Sequence, residues 1–484
     1  MKNKLPDGWI KTTIADVSAL IFGQSPPSSS YNTECEGMPF FQGKAEFGKV
    51  SPRIEKWCNQ PKRIAKAGDI LISVRAPVGP TNIASVDCAI GRGLAAIRSI
   101  IVSSYVQFYL RYSEHVLAAK GTGTTFAAIT KDVLKKHEIP VPPLAEQKRI
   151  VDKIETLFSD LDKGETLLKQ VQQQLAVYRQ SVLKDAVTGE LTRAWREQNE
   201  HRLESGEALL ARILESRHKN WKGRGKYKEP ACLDTSTLPV IPDGWTWTSI
   251  ASLICNEKNA IKAGPFGSAL KKEFYVSSGY KIYGQEQVIS GDSQYGDYYI
   301  NEEKYELLKS CSVKPFDVLI SLVGTIGKVM VLPEKIEPGI INPRLIKISL
   351  DMNVYDPRFF KMYFESAFVK SMYRLDAHGA TMDILNLSII KNLPFALCSI
   401  DEQKEVVSKV DDILSQIDAL EKWCSTELAR SEMLRQSILK AAFSGELVPQ
   451  DPEDEPASEL LARIQAERAS AAKLKKPAAR RRVH

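Results

Sequence analysis

The first half of this 484-residue chain is written again in the second, motif by motif and in the same order. LPDGW at 5–9 returns as IPDGW at 241–245, and Ile14 returns as Ile250. GDILIS at 68–73 returns as FDVLIS at 316–321, with Gly79 matched by Gly327. Gly123-Thr124-Thr125 returns as Gly379-Ala380-Thr381, and EQK at 146–148 as EQK at 402–404. RQSVLK at 179–184 becomes RQSILK at 435–440. TGEL at 188–191 becomes SGEL at 444–447, and ALLARI at 208–213 becomes ELLARI at 459–464. The offset drifts from 236 to 256 across the front of the repeat, then stays at 256 from EQK to GEL. A drifting offset means insertions, whereas a fixed one means a length that is held. The period is far too long for a solenoid. The chain is therefore expected to be two copies of a two-part module, each with a divergent front and a matched back.

The matched backs carry helical heptads. Ile150, Ile154, Leu157, Leu161, Leu168, Val171, Leu175, Tyr178 and Val182 alternate by three and four, the spacing of a coiled-coil seam. Val406, Val410, Ile413, Ile417 and Leu420 keep the same register in the second copy. There the stripe blurs at Cys424, Glu427 and Ser431 and resumes at Leu434 and Ile438. Proline-rich segments precede both helices, and the glycine of each GEL fits a helix stop. At about 1.5 Å per residue, each seam of about 37 residues predicts a rod of roughly 55 Å. Two such helices at matched positions are expected to pack together, antiparallel, as a spacer.

The fronts mix short β-like runs with turns. Ile70-Leu71-Ile72, Val318-Leu319-Ile320, GKVMVL at 327–332 and LIKISL at 345–350 read as strands, and each DGW as a strand start with a core tryptophan. The expected fold class is α+β: two globular α/β domains separated by two long helices packed as an antiparallel coiled coil, in a pseudo-two-fold internal repeat. The expected boundaries are 1–145 for the first domain, 146–215 for a central helical spacer and 216–240 for a basic linker. A second domain at 241–400, a C-terminal helical spacer at 401–469 and a basic tail at 470–484 complete the chain.

The net charge of +7 is concentrated. Residues 217–228 and 471–484 each hold six Lys or Arg and no acid, which leaves the rest of the chain net negative by five. Such runs are ordinarily solvated, but they also hold phosphates. No apolar run approaches the roughly 18 residues of a membrane span, and MKNKLPDGW lacks the apolar core of a signal peptide. A cytoplasmic protein is expected. The eight cysteines stand singly, without metal or disulfide spacing.

A search for catalytic motifs finds each candidate short of a partner. There is no phosphate loop ending in Lys-Ser or Lys-Thr, and no strand–Gly-x-Gly–helix unit for S-adenosylmethionine. Asn392-Leu393-Pro394-Phe395 loosely resembles an amino-methyltransferase motif. Its counterpart Glu138-Ile139-Pro140-Val141 leads into the same helix, which favours a structural role. Glu302-Glu303-Lys304 lacks the Pro-Asp of a Mg²⁺ nuclease, and the six histidines form no metal-spaced pair. The expectation is a chain without catalytic, cofactor-binding or metal-binding residues.

The GDILIS and FDVLIS segments with their following glycines, PPLAEQKRIVDKIETL, RQSVLK with TGEL, ALLARI before GRGKYKEP, the second PDGW, and ELLARIQAERA before the basic tail resemble the specificity subunits of type I restriction-modification enzymes. The resemblance spans nearly the whole chain. It implies two target-recognition domains, each reading one half of an asymmetric bipartite site in double-stranded DNA, and helices that set the unread gap. It also implies docking of two methyltransferase subunits and two restriction (motor) subunits. S-adenosylmethionine, ATP and Mg²⁺ would then serve those partners. A gap of about 6–8 base pairs puts half-site centres roughly one helical turn apart.

Base readout needs Arg or Lys for guanine, Asn or Gln for adenine, and donors for phosphate. In the first domain the candidates are Gln42, Lys44, Glu46, Arg75, Arg92, Thr124 and Thr125. In the second they are Gln285, Glu286, Gln287, Thr325, Lys328, Arg344, His378 and Thr381. The alternative reading, a coiled-coil scaffold without DNA readout, explains the repeat and the rod but not two heads so unlike each other.

Overall fold

The computed structural model describes residues 5–122, 127–220, 229–230, 233–236, 238–266, 268–323, 325–376 and 385–474. The chain forms two compact units, the first assembled from both ends of the sequence and the second from one continuous stretch. One comprises residues 1–170 and 424–484, the other residues 171–423.

In the first unit, β1 (Ile10–Thr13) pairs antiparallel with β8 (Glu138–Val141), so the chain enters and leaves the head on one two-stranded ribbon. The main sheet has the order β2 (Ser18–Phe22), β7 (Leu94–Ser99), β4 (Ile70–Ser73) and β5 (Thr81–Ile83), all antiparallel. All four β4 residues are buried, as expected of a short continuous apolar run in a central strand. Ala96 pairs with Leu71 and Leu71 with Asn82. In a second, smaller sheet, β3 (Met38–Phe41) runs parallel to β6 (Cys88–Ile90), with Phe41 opposite Ile90. The helix α1 (Ser103–Tyr112) buries Tyr105, Val106, Phe108 and Leu110 in the head's core.

The second unit repeats this plan. β9 (Thr246–Ser249) pairs with β16 (Pro394–Leu397). The four-stranded sheet has the order β10 (Ile261–Ala263), β15 (Leu345–Ile348), β12 (Val318–Ser321) and β13 (Val329–Val331). In the smaller sheet, β11 (Tyr280–Tyr283) runs parallel to β14 (Gly339–Ile341). The short helix α4 (Gln285–Ser290) follows β11, and α5 (Pro357–Phe364) buries Phe359, Phe360, Tyr363 and Phe364. Phe395, the last residue of the loose methyltransferase motif, is a fully buried β16 residue, which accounts for that motif structurally.

Two long helices link the units: α2 (Leu144–Val187) has 44 residues and α6 (Ile400–Ser444) has 45. Within the first unit, Ile150, Val151 and Ile154 of α2 pack with Ile438, Leu439, Ala442 and Phe443 of α6. Within the second, Val182, Ala186 and Val187 pack with Val406, Val407 and Val410. Rising numbers on one helix meet falling numbers on the other, so the pair is antiparallel. Arg435 reaches Asp162 at 2.7 Å and Glu165 at 2.9 Å. Its repeat counterpart Arg179 reaches Asp418 and Glu421, the latter at 3.3 Å. The seam is not buried along its whole length. Val171 (37 %), Tyr178 (51 %), Leu420 and Leu434 (47 % each) are exposed. One position of each heptad stays covered throughout the second helix, at Val410, Ile417, Cys424, Ser431 and Ile438, and the exposed residues Leu420 and Leu434 fall at the alternate position.

Two further helices, α3 (Gly206–Lys219) and α7 (Ala457–Leu474), carry the ALLARI and ELLARI motifs. They add six buried core residues, Leu209 and Ile213 to the second unit and Ala457, Leu460, Leu461 and Ile464 to the first.

Candidate nucleic-acid interface

Three loops of the first head leave adjacent strand ends together. β3 and β6 are parallel, so Gln42 and the Gly91-Arg92-Gly93 turn emerge side by side, and Gly91 N–H donates to Phe41 O at 2.8 Å. Gly93 O in turn accepts from Val74 N–H at 2.9 Å, which brings in the β4–β5 hairpin carrying Arg75. Ser73 braces this hairpin, with its hydroxyl donating to Arg75 O at 2.9 Å. Gln42, Lys44, Arg75 and Arg92 are exposed on this rim. Glu46 is partly buried and accepts from Gly43 N–H at 3.0 Å, closing the turn that presents Lys44. Burial raises the carboxyl pKa of nearby Glu114, while Lys44 pulls it down.

The second head builds the same rim from different side chains. Asn342 N–H donates to Tyr283 O at 2.8 Å, and Leu322 N–H to Arg344 O at 2.9 Å, reproducing the two bonds of the first head. Here the sequence expectation needs correcting at two residues. Gln285 is buried, and its amide donates to Ser321 Oγ at 2.7 Å and to Val323 O. Gln287 is buried too, donating to Tyr295 O at 2.7 Å and accepting from Gly284 N–H at 2.8 Å. Both amides tie loops together and have no free edge to offer a base. Exposed Arg344 leans on Gln285 Oε1 at 3.4 Å. Glu286 and Thr325 are exposed. Lys328 is exposed as well, 3.9 Å from Glu365. Thr124, Thr125, His378 and Thr381 lie outside the described residues, as do most of both basic runs.

A fourth rim segment was missed in the sequence. Gly23 N–H donates to Leu94 O and Gly264 N–H to Leu345 O, both at 2.9 Å, so residues 23–26 and 264–266 join the rims. Ser25 Oγ accepts from Arg92 N–H at 3.3 Å. The shared glycine, at yet another repeat offset, is the signal that could have revealed them.

The repeated motifs meet where each head joins its helices. Trp9 Nε1 donates to Glu146 Oε2 and Trp245 Nε1 to Glu402 Oε2, each at 3.0 Å, so the DGW tryptophan binds the EQK glutamate. The next residue, Gln147, accepts from Val102 N–H at 3.2 Å and donates to Pro142 O at 3.0 Å. Gln403 likewise accepts from Asp356 N–H at 2.8 Å and donates to Cys398 O at 2.9 Å. The third motif docks on the same turn: Ala457 N–H donates to Gly8 O at 3.0 Å and Gly206 N–H to Gly244 O at 2.7 Å. Arg468 then caps the carbonyls of Ala15 and Ser18, and Arg217 those of Ala251 and Ile254. The copies differ at one atom. Glu402 Oε1 accepts from Thr192 Oγ1 at 2.8 Å and Arg196 Nη1 at 2.5 Å, whereas buried Glu146 Oε1 has no partner.

The family model of the type I restriction modification DNA specificity domain matches twice, at residues 6–173 and 265–429. The chain belongs to this family. Each match runs from a head into the long helix that follows it and ends before that helix's RQS motif. The type I restriction enzyme EcoBI specificity subunit of Escherichia coli is 24 % identical over 477 residues, covering 96 % of this chain and 93 % of that one. The putative MjaX specificity subunit of Methanocaldococcus jannaschii is 39 % identical over 193 residues, spanning 39 % of this chain and 44 % of its own length.

Among solved structures, the HsdS subunit from Thermoanaerobacter tengcongensis superposes with a TM-score of 0.54 at 18 % identity, covering 92 % of this chain and 99 % of that one. A chain from a structure of type I R-M complex assembly and conformational transition gives 0.63 at 18 % identity, covering 92 % and 100 %. These likenesses establish the specificity-subunit fold. Among the described residues, no helix is long and apolar enough to cross a membrane, and no group of three or more His, Cys, Asp or Glu is placed to hold a metal ion.

Proposed function

We propose that each head of this specificity-family chain reads one half of a split, asymmetric site in double-stranded DNA through its loop rim. One observation carries this reading: a single repeated framework, with the same backbone bonds and the same junction, presents two different sets of exposed side chains. Gln42, Lys44, Arg75 and Arg92 are the reading set of the first head, and Arg344, Glu286 and Thr325 that of the second. The long helices fix the unread gap and dock two methyltransferase subunits, to which two restriction (motor) subunits add. S-adenosylmethionine, ATP and Mg²⁺ belong to those partners, and this chain contributes address without chemistry, in the cytoplasm where the DNA is.

The test is the combined Lys44→Ala and Arg75→Ala variant in complex with its methyltransferase subunits. Affinity should fall at least about tenfold, with preference relaxed in the first half-site only. Unchanged affinity and an unchanged first half-site would refute the assignment of that rim.

A further inference from the structure

The rim segment that begins at Gly264 has no role in the reading above. Its first residue is pinned to β15 by the Gly264–Leu345 bond, and beyond the tip Ala269 N–H donates to Phe266 O at 2.8 Å. Pro265 restricts the backbone between Gly264 and Phe266. The tip is Phe266, with 91 % of its surface exposed. In the same unit Phe359, Phe360, Phe364 and Phe395 are wholly buried, so this head has an aromatic core that Phe266 does not join. Single exposed apolar residues are common. This one differs in standing two residues beyond Gly264, which is bonded to the rim, with exposed Lys271 and Lys272 following in sequence. An apolar side chain followed by cations is the chemistry of a wedge against stacked bases, with Lys271 standing 3.8 Å from Glu273 and exposed Lys272 next to it in sequence. Through the shared glycine anchor, the first head's counterpart is Ser25, a small hydroxyl already engaged by Arg92.

We propose that Phe266 packs its ring against a base step of the second half-site, so that this head senses how readily that step unstacks while the first head reads its half-site without a wedge. The inference rests on the DNA-reading function proposed above and goes beyond it in naming a residue and a mode of readout.

The test uses the assembled specificity–methyltransferase complex, in wild-type form and with Phe266→Ala and Phe266→Trp. The probes are duplexes bearing 2-aminopurine at successive positions of the second half-site. Wild type should raise the fluorescence at one step. Phe266→Ala should abolish that rise and weaken specific binding by about tenfold to a hundredfold, and Phe266→Trp should retain both. The salt dependence should not change, because a ring displaces no counterion. The inference is overturned if wild type unstacks no step, if Phe266→Ala binds as tightly as wild type, or if the variant instead loses its methyltransferase subunits, which would make Phe266 a protein contact. A wild-type complex that failed to prefer its methylated motif over scrambled DNA would remove the underlying reading and this inference with it.

Discussion

Trp9 and Glu146 stand 137 residues apart in sequence and share a hydrogen bond of 3.0 Å. Trp245 and Glu402 repeat it, with Thr192 and Arg196 added on the second carboxylate oxygen. Removing Glu402 therefore strands a buried indole N–H and a largely buried guanidinium. Glu402→Ala is expected to cost about 3–5 kcal/mol, and Glu146→Ala, which strands one indole, about 1–3 kcal/mol. Chemical denaturation of the two variants gives the order directly, and equal costs would contradict the asymmetry.

The orphaned Glu146 Oε1 suggests a gain. Val448 occupies the repeat position of Thr192. Val448→Thr should supply the missing donor and stabilise the first unit by about 1 kcal/mol. A melting temperature that is unchanged or lower would show that the repeat register does not extend to that side chain.

The GEL glycines are tests of close packing. Gly189 and Gly445 have φ of +75° and +77°, and a Cβ on Gly189 would lie 2.6 Å from Pro242 Cγ, while one on Gly445 would meet Pro6. Gly68 has φ of +87° with nothing within 4 Å. Gly68→Ala should cost about 1–2 kcal/mol from backbone conformation alone, and Gly445→Ala about 2–5 kcal/mol once overpacking is added. Denaturation midpoints of the two variants decide this.

Burial pushes the His137 imidazole down to about 4, with Lys120 acting in the same direction. Its ring bonds Ser113 Oγ at 2.8 Å in the core of the first head. The unfolded chain, with an ordinary histidine near 6.5, then binds the extra proton first as pH falls. Stability is therefore full above about pH 6.5 and drains away towards pH 4, with a loss of about 2 kcal/mol by pH 5. Thermal melts between pH 7 and 5 should show this slope in wild type and a flatter one in His137→Gln. Equal slopes would place the titration elsewhere.

The sequence made legible whatever repeats by spacing: two heads, two long helices, the Ile70–Ser73 and Val318–Ser321 strands, and the buried tryptophan of each DGW. It did not reveal that DGW, EQK and LLARI converge, because no periodicity links Trp9 to Glu146 or Gly8 to Ala457. That pairing is made only when the heads fold and the helices return. The rim was half legible. Arg75, Arg92 and Arg344 are exposed where glycine-rich loops suggested. Gln285 and Gln287, equally plausible by residue type, are used up inside the head because a glutamine amide braces a loop as readily as it reads adenine. Phe266 escaped notice because an aromatic in sequence reads as core.

The most direct test of the central claim is base-resolution mapping of DNA methylation in host cells with and without this gene. The account predicts one split, asymmetric motif with a fixed unread gap that disappears on deletion, and whose first half alone is altered by Arg75→Ala with Lys44→Ala. A methylation pattern indifferent to the gene, with its methyltransferase partner co-expressed, would contradict it.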